Sequence, residues 1–244
     1  MSRTFRITVK RQASASDEKP YLQTFAYSCD GKITVADFLR ELNAQDRIVD
    51  IEGHEASPVV WECACFQKKC GACAMRINRH PALACSVFLR DAANNRGEIL
   101  LEPLGKFPVI RDLKVDRSMI SERLKEMRVW LTEKKTYEFD QSPDLQFQAA
   151  RCMLCGICLE VCPTFGCNPD FAGAASMVKT GKIIDQNQDD SHLKEMCGEY
   201  RKHFFNHCCQ SLSCVKACPL HLPLEELQAA ANRQAVWKKK MTSS

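Results

Sequence analysis

The chain has 244 residues, a formal net charge of +4 and 16 cysteines. Its length allows one large or two modest domains. The mild charge is spread along the chain apart from Lys238-Lys239-Lys240, which reads as a solvated end and gives no footprint for nucleic acid. No apolar run approaches the ~18 residues that a membrane-spanning helix needs.

Taken in chain order, the N-terminus is basic and lacks the apolar stretch of a secretory signal. Phe5, Ile7 and Val9 alternate with polar residues, so Thr4 to Arg11 reads as a strand, and Tyr21 to Tyr27 as a second. Thr34 to Ala44 reads as a helix, with Thr34 as N-cap and Asp37 as its partner. Residues 61–73 lack periodicity and read as a loop. Ala74 to Ile77 and Ile99 to Glu102 read as short strands. Ser118 to Lys134 carries Ile120, Leu124, Met127 and Leu131 at helical spacing. Asp170 to Lys179, Ser191 to His207 and Leu224 to Lys239 are further helix candidates. The order predicts an α+β chain: a β-grasp, plant-type ferredoxin domain over residues 1–105, then an all-α, bacterial-ferredoxin-like domain over 106–244.

Cysteine-rich chains of this kind are disulfide scaffolds, zinc proteins or iron–sulfur proteins. Disulfide scaffolds are usually small and secreted, so thiols in a reducing compartment, there to hold metal, are expected instead. The cysteines fall into two sets. Five lie from Cys63 to Cys85, with Cys29 before them, and ten lie from Cys152 to Cys218.

In the first set, Cys65, Cys70, Cys73 and Cys85 give C-x4-C-x2-C-x11-C. The opening is the plant-type 2Fe–2S pattern, completed by a distant fourth cysteine. Two irons each take two thiolates, and Gly71 lets the backbone approach the cluster. Zinc favours paired C-x2-C knuckles, so the x4 gap argues for iron. Cys63, two residues before Cys65, stays open as an alternative first ligand.

In the second set, Cys152-x2-Cys155-x2-Cys158-x3-Cys162-Pro163 matches the bacterial ferredoxin run, whose fourth cysteine serves the other cluster of a pair. A second run follows: Cys208-x2-Ser211-x2-Cys214-x3-Cys218-Pro219, with serine in the second place. The crossing rule assigns Cys152, Cys155, Cys158 and Cys218 to a 4Fe–4S cubane. It leaves Cys162, Cys208 and Cys214 with three thiolates, which suits 3Fe–4S. Ser211 or Cys209 stays open as a ligand to a fourth iron. Cys29, Cys63, Cys167, Cys197 and Cys209 are spare. The chain shows no nucleophile motif, no paired carboxylates and no phosphate loop, so carbon chemistry is expected to belong to a partner.

This succession of clusters resembles the iron–sulfur subunit of fumarate reductase and succinate dehydrogenase. So do Pro81-Ala82-Leu83-Ala84-Cys85, the stretch Phe107 to Asp116, and Cys162-Pro163-Thr164-Phe165-Gly166-Cys167-Asn168-Pro169 with Phe171 to Ala175. The resemblance implies an electron-transfer subunit of an oxidoreductase of the tricarboxylic acid cycle or of anaerobic respiration. Its partners would be a flavoprotein subunit carrying FAD, which interconverts succinate and fumarate, and a membrane anchor with a quinone. Electrons would pass singly along 2Fe–2S, 4Fe–4S and 3Fe–4S. The chain would sit peripherally on the cytoplasmic face of the inner or cell membrane. Cys167 stands where the succinate dehydrogenase branch has tryptophan, and Gly166-Cys167 is nearer the fumarate reductase branch. Cys209 stands where a histidine often follows the first ligand of the second run. His221, Gln228 and Arg233, in the segment after Cys218, are the candidates for contact with a quinone head group. Two alternatives share the chemistry: a subunit of a soluble, thiol- or carrier-linked fumarate reductase without a quinone site, and a free-standing ferredoxin-like carrier. A zinc-binding interaction module is the reading from another class.

Overall fold

The computed structural model describes residues 3–14, 16, 19–132, 143–186 and 190–237. The chain divides into two compact units, residues 1–116 and 117–244.

The first unit begins with β1 (Arg3–Arg11) and β2 (Tyr21–Cys29), antiparallel from Arg3↔Cys29 to Arg11↔Tyr21. Phe5, Ile7 and Val9 are fully buried, as the alternation of β1 requires. Next comes α1 (Val35–Asn43). Thr34 Oγ1 accepts from the Asp37 amide, and the Asp37 carboxylate accepts from the Thr34 amide, so the capping box forms as expected. The amphipathic helix buries Val35, Phe38, Leu39 and Leu42.

After the irregular loop come β3 (Ala74–Ile77), β4 (His80–Leu83), the short helix α2 (Leu89–Ala92) and β5 (Glu98–Glu102). β5 pairs parallel with β1 and antiparallel with β3, giving the sheet order β2-β1-β5-β3-β4. β4 has no sequence signal: His80-Pro81-Ala82-Leu83 is short and begins on a proline-containing edge, and pairing with β3 organises it. β6 (Val109–Arg111) and β7 (Lys114–Val115) form a small separate ribbon.

Residues 106–116 pack within this first compact unit, which runs to Asp116, beyond residue 105 where the ferredoxin-type domain is expected to end. A buried ion pair explains it. Asp112 Oδ1 accepts from Arg11 Nε at 3.0 Å and from the Gln12 amide at 3.1 Å, and Oδ2 accepts from the Val60 amide at 2.9 Å. Both side chains are 3% exposed. Arg11 also donates to Gln23 and to Ser57 and Pro58. Removing one partner strands the other charge in low dielectric. Asp112→Ala is therefore expected to destabilise this unit by about 3–5 kcal/mol. Hydrogen exchange of the β1 and β5 amides is the check; unchanged protection would refute it.

The second unit is helical among its described residues: α3 (Ser118–Glu126), α4 (Pro143–Ala150), α5 (Ile157–Glu160), α6 (Gly173–Gln186), α7 (Asp190–Tyr200), α8 (Ser213–Ala217) and α9 (Leu224–Asn232). α7 and α9 each run into a π-helical turn, Arg201–Phe205 and Arg233–Trp237. α3 stops well before Lys134. Arg128 adopts a left-handed φ of 57°, and Leu131, counted with the apolar stripe, is 41% exposed. Residues 133 and 134, like 238 and 239 of the last candidate helix, lie outside the described residues. α6 starts at Gly173 and not at Asp170 because Gly173 takes a left-handed φ of 77°, which no helix running through it can carry; the Ala172 amide just before it donates to the His203 carbonyl at 2.8 Å. It then runs past Lys179, burying Met177, Val178 and Ile184.

Candidate cluster sites

The first thiol group is built by a bent loop and a strand register. Phe66, Lys68 and Gly71 all take left-handed φ between 52° and 75°, which curls residues 61–73 into a compact turn. Inside the curl, Cys65 Sγ accepts from the amides of Gln67 at 3.4 Å and Lys69 at 3.3 Å. Those amides, with Cys70 adding to them, lower the Cys65 thiol to about 7. Outside it, Phe66 meets Trp61 edge-on at 6.1 Å and lies under the Arg40 guanidinium of α1. Cys73 immediately precedes β3, and the pairing Ala74↔Leu83 carries Cys85 back beside it. The Ala84 amide donates to the Cys73 carbonyl, and the Cys73 and Cys85 thiols are hydrogen-bonding neighbours. Burial pushes Cys73 up to about 12. Cys70 is within electrostatic reach of Cys73 and hydrogen-bonds with Cys65. The structure thus gathers Cys65, Cys70, Cys73 and Cys85. Cys63 is exposed, with Cys70 and Cys85 in electrostatic reach.

Ten cysteines lie in the second unit, where the two runs repeat at the level of the backbone. A step of 56 residues carries Cys152 to Cys208 and Cys162 to Cys218. The same step carries Leu154 (φ 55°) to Gln210 (φ 53°) and Gly156 (φ 87°) to Leu212 (φ 56°), all left-handed. Each run therefore bends twice and launches a short helix, α5 or α8, and these two helices pack together. Leu212 holds a conformation that costs a non-glycine residue roughly 1–2 kcal/mol, so the surrounding structure enforces it.

Two cavities result. One, of about 410 Å³ empty volume, is lined by Cys152, Cys155, Cys158 and Cys218, with Leu154 and Val178 among its apolar walls. Burial pushes the Cys155 thiol up to about 11 and Cys158 well above its ordinary value. The other, of about 390 Å³, is lined by Cys162, Cys208 and Cys214, with Cys209, Ser211 and Gln228. Burial also raises Cys208 and Cys214. Ala174 of α6 lines both cavities, and Cys158 lies within electrostatic reach of Cys214. Each cavity draws cysteines from both runs.

These donor sets fit clusters. A single zinc ion needs thiolates ~2.3 Å from one point. Among the described residues no three His, Cys, Asp or Glu side chains converge so tightly. The thiols instead stand around cavities, and buried thiols with raised pKa values become thiolates only beside a strong positive charge such as bound iron.

Several neighbours escaped the sequence reading. Lys179 lies in electrostatic reach of Cys152 and is itself lowered by desolvation. Its position, one helical turn from cavity-lining Ala175, is the signal that was available. Arg117 donates to the Cys155 carbonyl at 3.4 Å. Gln228, read as a quinone-side residue, lines the second cavity, whereas His221 and Arg233 are exposed. Of the spare thiols, Cys29 accepts from the Gly31 amide at 3.2 Å, and Cys209 is lowered first by a hydrogen bond with Thr164.

Residues 6–122 match the model of a 2Fe-2S iron-sulfur cluster binding domain, and residues 145–165 that of a 4Fe-4S binding domain. Fold and donor sets together define an iron–sulfur protein with more than one cluster domain. The chain is 30% identical to the succinate dehydrogenase iron-sulfur subunit of Bacillus subtilis, over 95% of this chain and 92% of that one. It is 29% identical to the fumarate reductase iron-sulfur subunit of Haemophilus influenzae, over 88% and 87%. A subunit of the Mycobacterium smegmatis Sdh1 complex in the apo form shares the fold, with a TM-score of 0.75 at 20% identity over 98% of both chains. The chain belongs to the family of succinate dehydrogenase and fumarate reductase iron–sulfur subunits.

Proposed function

We propose that the chain is the electron relay of a succinate:quinone oxidoreductase or quinol:fumarate reductase, holding 2Fe–2S, 4Fe–4S and 3Fe–4S centres and no substrate site. Cys65, Cys70, Cys73 and Cys85 hold the first centre within a β-grasp domain. Cys152, Cys155, Cys158 and Cys218 hold the second, and Cys162, Cys208 and Cys214 the third, in a bacterial-ferredoxin-like helical domain. When bound, such clusters supply one-electron carriers whose potentials follow hydrogen bonding, charge and burial.

The observation that carries this reading is the pair of cavities that share the Ala174 wall, each lined by cysteines of both runs. The chain's own residues do the rest. The Gln67 and Lys69 amides hold negative charge on Cys65, Lys179 and Arg117 bring positive charge near the first cavity, and apolar walls exclude water from it. The partners are a flavoprotein subunit with FAD and a membrane anchor with a quinone. Among the described residues no helix is long and apolar enough to cross a membrane, which is consistent with peripheral attachment to the cytoplasmic face through those partners.

Low-temperature EPR of the anaerobically purified protein, with iron and sulfide counted, is the test. An oxidised 3Fe–4S signal, reduced 2Fe–2S and 4Fe–4S signals after dithionite, and about nine irons per chain are expected. About ten irons with no 3Fe–4S signal would mean that Ser211 or Cys209 completes a second cubane.

A further inference from the structure

One side-chain amide in the second cavity is aimed at a sulfur. Gln228 Nε2 donates to Cys208 Sγ at 3.9 Å, from a half-buried position on the cavity wall. The Gln210 backbone amide donates to the same thiol. The aim of Gln228 is set by how α9 is held. Gln228 and Asn232 stand four residues apart and so share a face. The Tyr200 hydroxyl donates to Asn232 Oδ1 at 2.8 Å, and both residues are buried. Tyr200 packs on Phe204 at 5.3 Å, and Phe204 stacks on Phe171 at 5.6 Å; these two phenylalanines line the same cavity. On the other side α6 presses close, since a Cβ on Gly181 would lie 3.1 Å from Ala231 Cβ. Arg201 Nη1 donates to the Ala235 carbonyl at 2.8 Å and ties down the turn beyond α9.

We propose that Gln228 sets the reduction potential of the cluster held by Cys162, Cys208 and Cys214, with Tyr200 and Asn232 as the residues that position it. The proposal rests on the reading of these three cysteines as ligands. One-electron reduction adds negative charge to a cluster and its thiolates. An N–H directed at a ligand sulfur stabilises that charge, so it favours the reduced form and raises the potential. The apolar wall strengthens the effect, because fixed dipoles act with less screening there. No bond to iron changes in the step, and the electron comes from the redox partner. In sequence Gln228 is a candidate for quinone contact; the structure gives its amide a sulfur as partner.

The test is a mediated redox titration followed by EPR on the full-length protein. Gln228→Leu is expected to lower the midpoint of this cluster by up to a tenfold change in its one-electron equilibrium constant, about 59 mV. The other two clusters should not move. Gln228→Asn, which withdraws the amide by one methylene, should shift it in the same direction. Tyr200→Phe should give a smaller shift of that sign. An unchanged midpoint in both Gln228 variants overturns the proposal, as does an equal shift of all three clusters. Loss of this cluster alone from both variants also overturns it and assigns Gln228 to assembly. A fourth iron in the unmodified protein leaves the titration and its prediction as they stand. A wild-type protein with no cluster on Cys162, Cys208 and Cys214 overturns the three-centre reading itself, and is seen before any variant is made.

Discussion

Replacing Ser211 with cysteine is expected to convert the proposed 3Fe–4S centre into a second cubane. The reason is the repeat, not the mere presence of serine. Ser211 stands where Cys155 stands one step of 56 residues earlier, and each is flanked by the same two left-handed residues, Leu154 and Gly156 or Gln210 and Leu212. Cys155 lines the first cavity and Ser211 the second. A thiol at 211 would therefore face the open corner. A serine hydroxyl serves that corner poorly, because iron–sulfur centres take soft thiolate ligands and an aliphatic alcohol holds its proton far more tightly. In Ser211→Cys the oxidised 3Fe–4S EPR signal should vanish, a reduced cubane signal should appear, and iron should rise by about one per chain. Retention of the 3Fe–4S signal at unchanged iron would show that the two halves of the repeat do not place position 211 and position 155 alike.

The same repeat shows how much of the molecule was legible in sequence. Thiol spacing is dictated by cluster chemistry, so candidate groups could be read from C-x4-C-x2-C and from the two Cys-Pro runs, and the thiols of each group lie together in the structure. Periodicity located β1 and α1 closely, because each buries one face; β2 and β3 also lie where the sequence pattern puts them, although β3 is buried on both faces. Periodicity failed where a backbone reversal or a distant contact decides the outcome. The apolar spacing of 118–134 continues past a left-handed Arg128 that ends the helix, and α6 waits for Gly173, whose left-handed φ breaks any helix begun before it. The place of residues 106–116 was hidden for a similar reason. The Arg11–Asp112 pair joins positions 101 residues apart and has no local signature. The environment of the sulfurs was the least legible part. Lys179, Thr164 and Gln228 reach cysteines far away in sequence; the placing of α6 brings Lys179 there and that of α9 brings Gln228.

Exchanging the two closing cysteines tests the crossing most directly. Cys162 and Cys218 are the fourth cysteines of their runs, and each lines the cavity formed mainly by the other run. Cys218→Ser is therefore expected to abolish or cripple the 4Fe–4S centre proposed for Cys152, Cys155 and Cys158 while the oxidised 3Fe–4S signal persists. Cys162→Ser is expected to do the reverse. An uncrossed arrangement predicts the opposite pairing of variant and lost signal, so the two assignments differ in which EPR spectrum disappears and not merely in its intensity. Serine, not alanine, is the substitution of choice. It is close to the thiol in size and keeps a heteroatom at the position, and a cluster ligand lost outright removes binding energy that folding draws upon. α5 and α8 pack together and each contributes to both cavities, so the risk is that one lesion empties both. The 2Fe–2S signal of the first unit then serves as the internal standard, because its four thiols lie within residues 1–116. With that signal intact, selective loss of the 4Fe–4S spectrum in Cys218→Ser establishes that a residue 60 positions beyond Cys158 closes the first cubane. Selective loss of the 3Fe–4S spectrum in the same variant would assign Cys218 to its own run and dissolve the crossed assignment.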